Sequence, residues 1–401
     1  MGEKIGQHAR SRVSIAGAPV LGRGFRPFYL CAGILATLWM PLWLGVLHGV
    51  WRIPARVDPL TWHAHEMIYG FAVAVMAGFL LTAVRNWTGR PTPVGAPLAT
   101  LVVLWLAGRI AMLLGAGAPA WVVAGLDGAF LPALALILWV PLWRTRSRRN
   151  MVFVGVLLAL ATANLWVHLA AAGAVGGTPR QALRLALDLI LFVMVVIGGR
   201  VIPMFTANAL PRVRIHTPAL LDRLAPLSVL LVLAAHAFTV PQTLAATAAL
   251  LAAAANGLRM AGWASFATRR SPILWILHAG YAWIVLSLAL EALALAGIAS
   301  LRPLSVHALT VGAIGSLTLG MMTRSALGHT GRPLVADRTT AVAYACVNLA
   351  AGARVLVPIA FPGLYLAILD ASGILWSVAF GAFLVGFWPA LTRPRVDGKP
   401  G

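Results

Sequence analysis

Apolar residues in this chain fall in long unbroken runs, without the alternation of a half-buried strand or the narrow stripe of a surface helix. The runs cover roughly residues 28–48, 60–84, 97–114, 121–143, 151–174, 183–205, 225–240, 242–266, 273–295, 306–327, 341–360 and 365–390. Each approaches the ~20 residues that cross a hydrocarbon core as helix. Polar stretches between them are short, and the longest, 206–224 and 328–340, cannot fold alone. The pattern predicts an all-α polytopic membrane protein with about twelve transmembrane helices. One transmembrane domain, 25–391, is flanked by an N-terminal segment, 1–24, and a C-terminal tail, 392–401. The tightest junction is between the seventh and eighth runs, where only Pro241 and Gln242 intervene.

Composition removes the soluble alternatives. Of 401 residues, 60% are hydrophobic and 10% charged, against about 25% charged in soluble domains. The 31 Lys and Arg outnumber the 10 Asp and Glu, for a net charge of +21. In a soluble protein that balance would suggest nucleic acid. Here the basic residues sit between the apolar runs with no basic stripe or stacking platform, so the expected partner is the lipid bilayer and no nucleic acid. With the N-terminus taken as cytoplasmic, 22 basic residues fall on the inside, 5 on the outside and 4 (Arg109, Arg200, Arg259 and Arg354) within runs. This asymmetry predicts both termini inside. Many Trp residues stand at run ends, among them Trp51, Trp62, Trp87, Trp121 and Trp143, as amphipathic rings do at headgroups. Cys31 and Cys346 lie in apolar runs and form neither a disulfide framework nor a CxxC motif. No cleavable signal peptide is expected before the first run.

The second and tenth runs echo each other. Without gaps, HEMIYGFAVAVMAGFLLTAVRNWTGRP (65–91) overlays HALTVGAIGSLTLGMMTRSALGHTGRP (307–333), matching His65 with His307, Gly70 with Gly312, Gly78 with Gly320, and the two TGRP blocks. The sixth run would complete a pseudo-repeat of four helices. It carries Gly198, Gly199 and Arg200 but no aligned histidine.

Ionisable groups within spans are costly and point to function. Asp58 and Pro59 should start a regular helix, which sets His63 and His65 about 200° apart. These two cannot readily share a metal. The echo makes His65 and His307 the candidate axial pair for a haem held non-covalently, since no CxxCH attachment signal exists. Arg200 is a candidate partner for a propionate. His63, with Glu66 and Met67 on its face, could serve a second metal or hydrogen-bond a loop. The glycines of the echo admit either a flat macrocycle or a close helix. Toward the cytoplasmic side, His278 and His329, with Met321 and Met322, form a second candidate set for copper or a second haem. Asp127, Asp188 and Glu291 are further buried-charge candidates, and His216 sits in a basic loop.

Gly24-Phe25-Arg26-Pro27-Phe28, Trp62-His63-Ala64-His65-Glu66-Met67, Asn86-Trp87-Thr88-Gly89 and the run from His307 to Pro333 resemble the NnrS family, over about residues 22–395. The resemblance implies a bacterial inner-membrane protein with haem b, with copper as a further cofactor, tied to nitric oxide and nitrosative stress. A redox iron would call for an electron donor, which the sequence does not identify. A looser architectural similarity is to haem–copper oxidases, with twelve helices in three arcs of four. The sixth run lacks histidine and the seventh has only His236, so a three-histidine copper site is not recognisable. Two alternatives remain at this point. One is a secondary transporter using Asp188, Arg200 and Glu291; the other is a scaffold for another membrane complex.

Overall fold

The computed structural model describes residues 18–238 and 240–399, so the N-terminal segment lies outside the described residues up to 17. Among these residues, twelve helices are long and apolar enough to cross a bilayer, and they match the expected runs one for one. They are α1 (Phe25–Leu47), α2 (Pro59–Thr88), α3 (Ala96–Gly117), α4 (Ala120–Arg144), α5 (Arg148–Ala171) and α6 (Pro179–Ala209). The second half comprises α7 (Ala219–Ala237), α8 (Gln242–Ala261), α9 (Pro272–Leu295), α10 (Ala299–His329), α11 (Arg338–Ala360) and α12 (Pro362–Thr392). The described residues contain no strand. Twelve alternating crossings bring the start of α1 and the end of α12 to one side, called here the terminal face; the opposite side is the far face.

Local chemistry sets the helix ends. The Asp58 carboxylate accepts the Thr61 amide at 3.1 Å, with Pro59 at the first helical position. Thr178 and Gln181 form a reciprocal capping box at the start of α6. Asp337 caps α11 through the Thr340 amide at 2.8 Å. The GFRPF motif explains itself in packing. Arg26 is buried and donates from Nη1 to the carbonyls of Arg393, at 2.6 Å, and Leu391, at 3.4 Å, filling acceptors left open where α12 ends. Gly24 lies where a Cβ would stand 2.5 Å from Leu81, so α1 can enter flush against α2.

Helices adjacent in sequence pack as neighbours for most of the chain, and α12 closes the bundle against α1. The three helices four apart in order, α2, α6 and α10, line a common central cleft of about 100 Å³ with Leu277 of α9. That is the arrangement a four-helix pseudo-repeat requires. In lipid, such packing is stabilised by close van der Waals contact. The glycines of the echo serve it. A Cβ on Gly312 would meet Trp283 at 2.5 Å, on Gly320 Leu277 at 2.8 Å, and on Gly78 Tyr29 at 2.9 Å. They admit neighbouring side chains, and none faces an open slot for a macrocycle.

The echo extends to the backbone. A seven-residue π-helical segment, Glu66–Ala72, follows His65, and another, Ala308–Ile314, follows His307 at the same aligned positions. Such wide turns within an α-helix cluster at functional sites. In contrast, α6 is α-helical throughout Pro179–Ala209, so the repeat of this detail is twofold.

Candidate functional site

The π segment of α2 turns His65 and Glu66 into the space between α2, α3, α4 and α5. His65 is fully buried, with Nδ1 3.2 Å from Glu66 Oε1 and Nε2 2.8 Å from Asn164 Oδ1 and 3.1 Å from Asp127 Oδ2. Arg109 reaches in from α3, donating from Nη1 to Glu66 at 2.5 Å and from Nη2 to Asp127. Asn164 Nδ2 donates to Asp127 Oδ2 at 2.8 Å, and His168 Nε2 lies 2.8 Å from the same oxygen. Four helices thus place six polar side chains in one buried network.

Charge balance says what this network can do. Glu66 and Asp127 bring two negative charges and Arg109 one positive. With both carboxylates ionised, a proton on a histidine or a metal ion would balance the remaining negative charge. Nitrogen atoms of His65 and His168 and an oxygen of Asp127 lie within 4.8 Å of one another. Two imidazoles and a carboxylate suit first-row transition ions. Asn164, Glu66 and Arg109 surround these three side chains and orient them through hydrogen bonds.

His65 and His307 are held by different partners. Both ring nitrogens of His65 are engaged within the α2–α5 network, and it is His63 that lies within the electrostatic reach of His307 and of Arg354. The physical reason is the ~200° between positions two apart on a helix: once His65 faces α4 and α5, His63 faces the other way. The His63 ring stacks on Trp43 with centroids 4.4 Å apart. His307 Nδ1 donates to the Pro303 carbonyl at 2.7 Å, which in the neutral ring leaves Nε2 with a free lone pair. Beside them Arg354 donates from Nη2 to the Tyr365 hydroxyl at 2.8 Å, while its buried Nη1 has no partner among the described residues.

The second candidate set does not assemble. His278 sits between the hydroxyls of Thr206 and Ser265, each at 2.9 Å. His329 instead lies by the Arg23 guanidinium, at 3.4 Å, and the Phe25 ring. Met321 lines the apolar central cleft and Met322 is buried in the core. Equal depth on adjacent helices does not bring side chains to one side of them.

Asp188 and Glu291 do meet, near the far face. His236 Nδ1 is 2.7 Å from Asp188, and Arg184 Nη2 is 3.0 Å from Glu291. Ser305 also donates to Glu291, at 2.6 Å. Arg200 is remote from them, near the terminal end of α6, where it donates to Asn150 at 3.3 Å. No hydrogen bond or ion pair joins it to these acids or to His307 among the described residues.

Sequence reasoning missed His168 and Asn164 as partners of His65. One signal was available: both lie on the α5 turn that ends at the far face, the depth at which His65 begins α2. Over residues 19–395 the chain matches the family model described as NnrS protein. No curated protein matches it.

Proposed function

The chain belongs to the NnrS family, and from that premise we propose that it is a haem protein of the bacterial inner membrane serving the nitric oxide response, with a second metal site of the copper type. The observation that carries the haem assignment is the set His63, His307 and Arg354. It offers two imidazoles, each with a ring nitrogen that has no protein partner among the described residues, and a buried Arg354 donor that is likewise unpaired among them. An orphaned buried donor costs stability unless something accepts from it, and a propionate is such an acceptor.

These residues fit the group. His63 and His307 would hold the iron and Arg354 a propionate. Haem, when bound, would supply a redox centre suited to electron transfer or to gas binding. The chain's own part is positional. The Pro303 carbonyl fixes the His307 tautomer, Trp43 holds the His63 ring, and the Tyr365 hydroxyl aims Arg354. Copper fits His65, Asp127 and His168 better than the dispersed His278 and His329. Its entry would release a proton from the network, so affinity should rise with pH.

The test is metal and haem analysis of protein purified in mild detergent after expression with ample haem and copper, followed by nitric oxide titration. The reading expects stoichiometric haem whose visible spectrum responds to nitric oxide, and copper that is lost in His168→Ala. Protein free of both cofactors would overturn it.

A further inference from the structure

On the terminal face, far from both histidine sites, a cavity of about 830 Å³ opens between α5, α6, α7 and α8. Its size is that of a small-molecule site. Arg149, Arg200 and Arg259 all line it, and Asp222 is the acid among its lining residues. The guanidinium of Arg200 lies in the field of both other arginines. Arg259 is buried and built in: its Nε donates to Asp222 at 2.7 Å, its Nη1 to the Val195 carbonyl at 3.1 Å, and its guanidinium lies so close over Gly199 that a Cβ there would stand 2.0 Å away. Arg200 Nη1 donates to Asn150 at 3.3 Å. For Nη2 of Arg200 and Nη2 of Arg259, no protein acceptor is found among the described residues.

Three cations against one carboxylate leave the cavity with an excess of two positive charges; of the three, Arg259 is buried and Arg149 reaches the exposed rim. The excess calls for an anion. Guanidinium forks match the oxygens of a phosphate. Below the arginines the wall turns apolar, and Ile197 and Val201 belong both to this cavity and to the central cleft. We propose that the cavity binds a phosphate group carried on an apolar body, with Arg149 and Arg200 gripping the phosphate beside the fixed Arg259. Two sources share that chemistry: the headgroup of an anionic phospholipid, for which basic pockets between helices are suited, and a free phosphate compound entering from the aqueous side.

Native mass spectrometry of the full chain in mild detergent tests this, with phosphatidylglycerol and inorganic phosphate as separate probes. Arg149→Gln and Arg200→Gln are the informative variants, because Arg149 is exposed and Arg200 has one side-chain hydrogen bond to lose. Each should weaken binding about tenfold. Arg200→Lys should retain part of it, and Arg52→Gln, in the loop at the far face, should bind as the parent does. Binding of phosphatidylglycerol alone, with this arginine dependence, assigns the site to the membrane. Binding of inorganic phosphate that displaces the lipid assigns it to a soluble compound. If both arginine variants, with unchanged melting temperature, bind either probe as tightly as the parent does, or neither probe binds the parent, the proposal is overturned.

Discussion

Replacing Arg109 with Met removes the one guanidinium that neutralises Glu66 and Asp127 inside the bundle. Both carboxylates are fully buried, and Arg109 Nη1 lies 2.5 Å from Glu66 Oε1. Breaking a buried ion pair by deleting one partner costs about 3–5 kcal/mol, because the other charge is left uncompensated. A second carboxylate does not double this, since one of the two can take up a proton once the cation has gone. Unfolding entropy scaled to 401 residues converts each kcal/mol to roughly 1 °C of melting temperature. Arg109→Met should therefore melt about 3–5 °C below the parent by differential scanning fluorimetry in detergent. Asp127→Leu should cost a similar amount, because it strands Arg109 and removes the acceptor of Asn164 and His168. In the double variant the deleted charges cancel, so the loss should fall short of the sum by at least about 2 °C. Single-variant shifts below 1 °C, or strict additivity, would refute the view that this network is a coupled charge cluster.

Arg26→Ala should lower the melting temperature by about 1–3 °C and raise hydrogen exchange at the end of α12, since it strips the Leu391 and Arg393 carbonyls of their donor. Gly312→Ala drives a Cβ to 2.5 Å from Trp283 and should cost about 1–3 kcal/mol. Gly352→Ala, whose Cβ would meet nothing within 4 Å, should stabilise α11 by about 0.5–1 kcal/mol, and paired thermal melts separate the two. At Asp58, burial works against the charged carboxylate, yet Thr61 and Arg180 hold its pKa below the usual range. A depressed folded pKa stabilises above the unfolded value and fades below it, so the Tm gap between parent and Asp58→Asn should be full at pH 7 and close as pH falls below about 4.

The bundle was legible because membrane helices advertise themselves by length and apolarity, and even the narrow Pro241–Gln242 junction separates α7 from α8. The echo between α2 and α10 was legible too, down to a shared π-helical turn that no propensity would reveal. Alignment relates equivalent positions, however, and does not say which face of each helix turns toward the other. The residue matched to His307 is His65, while the residue that feels the charge of His307 is His63. Long-range partners were hidden for the same reason. Arg184 lies on α6 beside Asp188, Glu291 and His236, a grouping that only the packing of α6, α7 and α9 creates. Asp127 and His168 lie on α4 and α5, and only tertiary packing brings them to His65.

Reduced-minus-oxidised visible spectra, with pyridine haemochrome quantitation, distinguish the haem ligands when recorded on the parent, His63→Ala, His307→Ala and His65→Ala side by side. The expected result is a b-type spectrum in the parent, loss of haem from His63→Ala and His307→Ala, and haem retained in His65→Ala with the copper site impaired. Haem retained in full by both His63→Ala and His307→Ala, or lost only from His65→Ala, would contradict it.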